Sequence, residues 1–405
     1  MSKRNHKITF KRCNTCLSNN FKKIIDLGYH TPADTFLKKK QLSIYIPKIK
    51  LNCNICKNCF NIQLSSSIRN FFRYNHVKYS YRSSNSIISR KYWDKFYDYI
   101  IKFSELKKGN ILEIGANDGY LIKKFSSKKI NLYSYEVSRE MHNILKQISI
   151  KSRNIAFEEL SKKDLKDNRR KFDVIICNNV LNHCHKLNVF FNNINKLLSE
   201  NGKFYMEVPY APWMIKNNKF ELIYLEHINY FSLYNLNQLC IRNELNINRV
   251  DFFDYHGEMI RLIITKEISK SSNFAKILNK EKKYFSNLNI FKKFMKNIEK
   301  KKYEFKTKIK KIKQEKENLI VGMGAGAKAS SFLNYYNLKR GDIDFLTDNS
   351  REKIGKYIPI KKIPIKSDNK IKFLKNVYVF FPTWNISTFL EKKIKKINTN
   401  VKIIR

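Results

Sequence analysis

The sequence predicts an α/β protein in three units, and three observations carry that prediction. Two stretches, 111–125 and 319–331, each read as an apolar strand, a glycine-rich turn and the start of a helix. Between 110 and 208, short apolar runs at 110–114, 131–136, 173–177 and 203–208 alternate with helical periodicity, the pattern of a doubly wound sheet. Two C-x-x-C pairs, Cys13-Asn-Thr-Cys16 and Cys56-Lys-Asn-Cys59, stand near the N-terminus. The expected division is a small zinc-binding domain over 1–70, a doubly wound middle domain over 71–265 and a second Rossmann-like domain over 266–405. A chain of 405 residues has ample material for separate cores.

Five of the eight cysteines precede residue 60. In a reducing compartment such a cluster points to metal before disulfides. Each C-x-x-C pair can form a knuckle whose backbone N–H groups steady two thiolates, and two knuckles complete a tetrahedral zinc site. A site closed by Cys13, Cys16, Cys56 and Cys59 has no open position, so the Zn²⁺ would be structural. Cys53-Asn-Ile-Cys56 has the same spacing; the later pair is preferred because Gln63-Leu64 follow it in a strand-like run.

In the middle unit the turn reads Glu113-Ile-Gly115-Ala-Asn117-Asp118-Gly119. Glycines without a Cβ let the backbone pass close to a ligand, and a helix N-terminus behind them, predicted to start at Tyr120, would offer free N–H groups. Glu136 ends the next apolar run, placed to take the two ribose hydroxyls. The spacing is G-x-x-x-G, and the carboxylate of Glu113 would repel a phosphate. S-adenosylmethionine (SAM) is therefore favoured over a dinucleotide. Asn178 and Asn179, just past the run 172–177, complete the expected cofactor set at the carboxyl ends of the strands.

Residues 79–86, Tyr-Ser-Tyr-Arg-Ser-Ser-Asn-Ser, form a polar turn that packing alone does not explain and that suits a substrate loop. The helix after it places Tyr92, Phe96, Tyr99 and Ile100 on one face. The segment 221–232 brings Tyr224, Glu226, His227 and Tyr230 close together. A histidine removes protons near neutral pH, a neighbouring carboxylate can orient it, and a tyrosine hydroxyl can donate to a developing oxyanion. Residues 275–317 read as one or two long helices with a solvated lysine face. The turn that follows, Gly322-Met-Gly324-Ala-Gly326-Ala-Lys328-Ala-Ser330-Ser331, suits a phosphate, and Asp348 closes the next strand as Glu136 does in the middle unit.

Taken together these motifs resemble the sugar-nucleotide C-methyltransferases that act on dTDP-linked 4-keto-6-deoxy sugars. The resemblance runs over nearly the whole chain. It rests on the two cysteine pairs, Glu113 to Gly119, Asn178-Asn-Val-Leu-Asn-His183, Glu207-Val-Pro-Tyr210, Tyr224-Leu-Glu-His227, His256-Gly257, Gly324-Ala-Gly-Ala-Lys328, Asp348-Asn349 and Thr383-Trp384-Asn385. It implies a zinc-bearing N-terminal domain, a middle Rossmann-like SAM methyltransferase domain and a C-terminal domain that anchors the nucleotide-sugar. It further implies that His227 removes the proton alpha to a ketone, with Glu226 and Tyr224 beside it and Tyr79 in the active-site turn. Substrate contacts would come from His256, Gly324, Lys328, Asp348, Trp384 and Asn385. The chain departs from the family pattern at Arg82, at Leu225 and at His256-Gly257-Glu258-Met259, which bears on the sugar and on the methylated position.

The net charge of +47, from 81 basic and 34 acidic side chains, is spread along the whole chain with Asn, Ile, Tyr and Phe, as AT-rich coding would produce. No basic strip is interleaved with exposed aromatics, so no nucleic-acid partner is expected. A run of 18 apolar residues is absent, and the start of the chain leads to no apolar segment; a soluble, cytoplasmic monomer with no membrane partner is the expectation. The rival readings are an O- or N-methyltransferase on a sugar nucleotide, a zinc-ribbon RNA methyltransferase and a non-catalytic binding protein.

Overall fold

The computed structural model describes residues 6–69, 73, 82–167, 171–255, 257–268, 274–359 and 361–405. Tyr79 and His256, both expected in the site, lie outside the described residues.

A seven-stranded sheet forms the centre of the molecule. Its strands lie in the order Asn246–Asp254, Glu258–Thr265, Leu198–Pro209, Phe172–Asn178, Gly109–Ile114, Ile130–Tyr135 and Lys151–Arg153. The last five are mutually parallel, and Glu258–Thr265 runs antiparallel to both its neighbours. Val174, Ile175, Ile176 and Cys177 are all buried, because helices cover both faces of this sheet and leave no polar side for alternation. Successive connections leave Gly109–Ile114 on opposite sides, so a crevice opens at its carboxyl end, beside Phe172–Asn178. Helix Ile87–Ser104 covers one face with Tyr92, Trp93, Phe96 and Ile100, and the Ser86 hydroxyl caps its start by accepting the Ser89 N–H at 3.0 Å.

The helix expected after Gly119 is instead a single 3₁₀ turn, Ile122–Phe125. Leu121, Ile122 and Phe125 are all buried. Only Ser126 to Lys129 separate the turn from the strand Ile130–Tyr135, which leaves no room for a second helical turn.

The N-terminal sheet has the order Asn229–Tyr230, Ile62–Leu64, Ile49–Cys56, Phe21–His30, and Lys7–Thr9 pairs separately with Ser66–Ile68. Its first strand comes from far along the chain, two residues after His227. The C-terminal sheet, Tyr357–Ile358, Ile363–Lys366, Phe345–Thr347, Leu319–Met323, Val377–Phe380 and Lys402–Ile403, is parallel except at Tyr357–Ile358. One apolar cluster joins all three regions through Ile25, Leu51, Phe220, Ile223, Phe291 and Leu333.

Helices Ala275–Ser286 and Asn289–Ile312 lead into the C-terminal sheet. Glu281 on the first of them accepts the N–H groups of Leu233 (3.2 Å) and Tyr234 (2.6 Å) and the Tyr210 hydroxyl. A carboxylate from one region thus supplies the acceptor for the start of helix Leu233–Arg242 in another. Glu281→Ala leaves three donors unmatched and should lower stability by about 1–2 kcal/mol, read as an earlier urea transition.

Candidate active site and metal centre

The thiols of Cys13, Cys16, Cys56 and Cys59 converge, all four sulfurs lying within 4.8 Å of one another. Cys13 and Cys59 are 3.5 Å apart, and Cys16 and Cys56 are 3.4 Å apart. A tetrahedron with Zn–S bonds of about 2.3 Å has edges of about 3.8 Å, so a zinc ion fits with little adjustment. The Cys16 N–H points at Cys13 Sγ from 3.5 Å, the knuckle contact that steadies a thiolate. Cys53, on the strand Ile49–Cys56, turns instead into the apolar cluster with Ile25, Leu51 and Leu64, where burial pushes its thiol well up. Its strand position decides this, because it sits three residues before the knuckle that Cys56 opens.

At the crevice of the central sheet, Gly115 (φ +70°) and Gly119 (φ +77°) make the turn possible. A Cβ on Gly115 would stand 2.6 Å from Val180, and one on Gly119 2.6 Å from Ile148. Glu136 closes the turn from the neighbouring strand, accepting the Asn117 N–H at 3.0 Å and the Ser138 N–H at 2.8 Å. Glu113 is 5% exposed and its Oε2 has no partner. Burial pushes its carboxyl well above the ordinary range, and the charges of Asp118 and Glu136 push the same way, against the Ile122 N–H. A cationic group placed there would reverse that cost, which is what the ammonium and sulfonium of SAM offer.

The other residues expected at the cofactor are placed less directly. Asn117 Oδ1 accepts the Ser83 N–H at 2.9 Å, and Asp118 Oδ2 accepts the Ser84 N–H at 3.0 Å and its hydroxyl at 2.6 Å. These two side chains therefore clasp the polar turn before helix Ile87–Ser104 rather than pointing at a free cleft. Asn178 donates to Glu207, and Asn179 (φ +53°) donates to Asn178 at 2.7 Å. Glu207 is wholly buried and also takes the Tyr92 hydroxyl and the Arg261 guanidinium. Arg261 in turn lies over the rings of Phe96, Tyr99 and Phe253 at 4.2 to 4.6 Å. Sequence spacing does not reveal this network, although a carboxylate inside the apolar run Phe204-Tyr-Met-Glu-Val signals that a partner is needed.

His227 is 8% exposed and faces a small cleft lined by Asn182, Pro209, Tyr210 and Met214. Its Nδ1 donates to the Leu222 carbonyl at 3.1 Å, which leaves the Nε2 lone pair to accept the Tyr224 hydroxyl. Burial, with the nearby Arg73 charge, holds the imidazole well below its ordinary pKa, so it is neutral at physiological pH. Glu226 does not orient this ring, contrary to expectation: its Oε1 accepts the Ala33 N–H at 2.8 Å and its Oε2 has no partner. The Ala33 peptide takes up the Glu226 carboxylate, and the Leu222 carbonyl performs the orienting role. The His183 ring lies 4.9 Å from that of His227, with the Arg73 guanidinium 2.8 Å from its Nδ1.

The second glycine turn repeats the first. Asp348 accepts the Ala325 N–H at 2.9 Å and the Ser350 N–H at 2.8 Å, and a Cβ on Gly324 would meet Thr383 Oγ1 at 2.3 Å. Ser330 and Ser331, expected to suit a phosphate, instead donate to the carbonyls of Ala33 (2.6 Å) and Ile223 (3.2 Å). They lie a full turn into helix Ala327–Tyr335, beyond reach of an anion at its start. Trp384 packs beside Trp213 at 5.7 Å, with Lys219 4.2 Å and Lys328 5.9 Å from its ring centre. Asn385 follows Trp384 on the same short turn, Trp384–Ile386.

A four-cysteine metal centre beside a doubly wound sheet whose glycine turn is flanked by two buried acids defines a SAM-dependent methyltransferase. Sequence comparison agrees region by region: residues 13–70 match a family described as a zinc binding domain, 88–250 a methyltransferase domain, and 254–404 the C-methyltransferase C-terminal domain. In chain order the three matches together span residues 13–404. It is similar to the C-methyltransferase NovU of Streptomyces niveus, 21% identical over 378 residues that cover 92% of this chain and 89% of NovU. Among solved structures, a protein of Pyrococcus horikoshii OT3 aligns with a TM-score of 0.40 at 14% identity, over 49% of this chain and all of that one. Magnesium protoporphyrin IX methyltransferase of Synechocystis PCC 6803 aligns with a TM-score of 0.36 at 12% identity, over 44% and 88%.

Three outcomes follow from these geometries. Cys16→Ser should strip the metal, measured as zinc per chain by mass spectrometry, and acidification should release it from the unaltered protein because protons compete for the thiolates. Glu113→Gln keeps the shape but removes the charge, and should weaken SAM binding about 10- to 100-fold by calorimetry while zinc content stays at one per chain.

Proposed function

We propose that the protein C-methylates a nucleotide-linked keto-deoxysugar, with His227 as the base: its neutral imidazole faces the cleft with Nε2 as the acceptor nitrogen. That single observation carries the reading. In this assignment residues 1–70 are the zinc domain, 71–265 the SAM domain and 266–405 the anchor for a dTDP-linked sugar, in a cytoplasmic enzyme. SAM, when bound, supplies an electrophilic methyl group; Glu113 would face its cationic end and Glu136 its ribose. Gly115 and Gly119 let the backbone approach it, with Asn117, Asp118, Asn178 and Asn179 shaping the surrounding wall.

The ketone makes the neighbouring C–H acidic. His227 Nε2 takes that proton, and the Tyr224 hydroxyl, released from Nε2 when substrate enters, donates to the enolate oxygen. The carbon activated in this way would be ready for the methyl group that bound SAM would supply, and the abstracted proton stays on the imidazole until it leaves to solvent. Gly324, Asp348, Trp384 and Asn385 shape the nucleotide end, with Tyr79 and His256 completing the substrate contacts.

The test needs no methyl donor. Incubated in deuterated water with dTDP-4-keto-6-deoxyglucose, the protein should exchange the proton alpha to the ketone, followed by NMR, and His227→Ala should abolish exchange while leaving SAM binding intact. Because the imidazole pKa is depressed, the base stays neutral below pH 6.5, so the exchange rate should hold from pH 8 down through pH 6.5 and fall only at more acid values. Absence of exchange, with SAM still bound, would transfer the assignment to an O- or N-methyltransferase.

A further inference from the structure

Residues 31–35 of the zinc domain reach the junction of all three regions. The Ala33 peptide is held from two sides: its N–H donates to Glu226 Oε1 at 2.8 Å, and its carbonyl accepts from Ser330 Oγ at 2.6 Å. Asn334 Nδ2 lies 3.4 Å from Thr31 Oγ1, and Ser331 ties the same helix to the Ile223 carbonyl. The segment therefore lies between the His227 turn and the first turns of helix Ala327–Tyr335, which carries Lys328.

The residue after Ala33 is Asp34, half-buried. Its charge acts on both Glu226 and Lys328. Burial pulls the Lys328 ammonium down to about 8, while Glu221 and Asp34 draw it back up. Lys328 Nζ lies 5.9 Å from the Trp384 ring centre, and the Oε2 atoms of Glu221 and Glu226, the latter residue 5% exposed, are buried without partners. Titratable groups from three regions thus meet around the Ala33 peptide, which Glu226 and the helix of Lys328 hold from its two sides. Leaving buried oxygens without partners is costly, and a ligand that bridges them removes the cost.

The ligand's chemistry follows from the donor and acceptor inventory. An ammonium only donates and an ionised carboxylate only accepts, whereas a hydroxyl does both. A phosphate would suit Lys328 alone and be repelled by three neighbouring acids. We propose that Asp34, Glu226 and Lys328 form a hydroxyl-binding site for the sugar ring, Lys328 donating to a hydroxyl oxygen and the two carboxylates accepting from hydroxyl groups. Lys328 is then a reader of the sugar and not a clamp on the diphosphate, and Asp34 makes the zinc domain part of the substrate site. This rests on the nucleotide-sugar reading above.

The experiment titrates the full-length, zinc-loaded protein with dTDP and with dTDP-4-keto-6-deoxyglucose, following binding by calorimetry. Asp34→Asn and Lys328→Met should each weaken the nucleotide-sugar about tenfold, the scale of one hydrogen bond to a charged group, and leave dTDP within about twofold. Equal weakening of both ligands by Lys328→Met, with tighter binding of both by Asp34→Asn, would identify a phosphate site and overturn the proposal. Loss of zinc or of SAM binding in Asp34→Asn would make the segment merely structural, and also overturn it. Failure of the unaltered protein to bind either ligand would instead remove the nucleotide-sugar reading and this inference with it.

Discussion

Buried carboxylates organise this molecule. The chain carries 34 acids among 81 bases, and an acid sunk away from water is costly unless donors meet it. Glu136 and Asp348 do the same task in two different sheets. Each ends a strand, accepts the N–H of the glycine turn beside it, and accepts the N–H two residues further along its own chain. Glu207 collects Tyr92, Asn178 and Arg261, and Glu281 collects Tyr210 and the start of a helix. Satisfied acids build the scaffold. Among the acid oxygens left without donors, those on Glu113, Glu221 and Glu226 lie where the cofactor and substrate clefts are assigned.

The same bonds explain why the three regions act as one body. The strand Asn229–Tyr230 follows His227 by two residues and pairs with Ile62 and Gln63 of the N-terminal sheet. Ala33 is gripped by Glu226 and Ser330, and the apolar cluster containing Ile25, Phe220 and Leu333 has no boundary between regions. The position of the His227 turn therefore depends on the fold around the cysteine centre, as well as on the sheet that precedes it in the chain.

Local rules made much of this legible. Glycine at positive φ, a strand ended by an acid, and paired C-x-x-C knuckles are all properties of short stretches, so Gly115, Gly119, Glu136, Asp348 and the four cysteines stand out without a structure. The readings that changed depend on neighbours distant in sequence. Ser330 and Ser331 fit a phosphate when viewed along their own helix, but residues 33 and 223 occupy them. Glu226 adjoins His227 in sequence, but the N–H of Ala33 takes its carboxylate. Asn117 and Asp118 are committed to Ser83 and Ser84, thirty-four positions earlier.

The sequence by itself determined the two glycine turns, the metal ligands and the alternation of strand and helix, because each is encoded within a few residues by sterics, donor chemistry and hydrophobic period. Only the tertiary structure decided which side chains remain free at the clefts. That depends on which hydrogen-bond partners the folded chain brings within 3 Å, and contacts such as Ala33 with Ser330, 297 residues apart, leave no local trace.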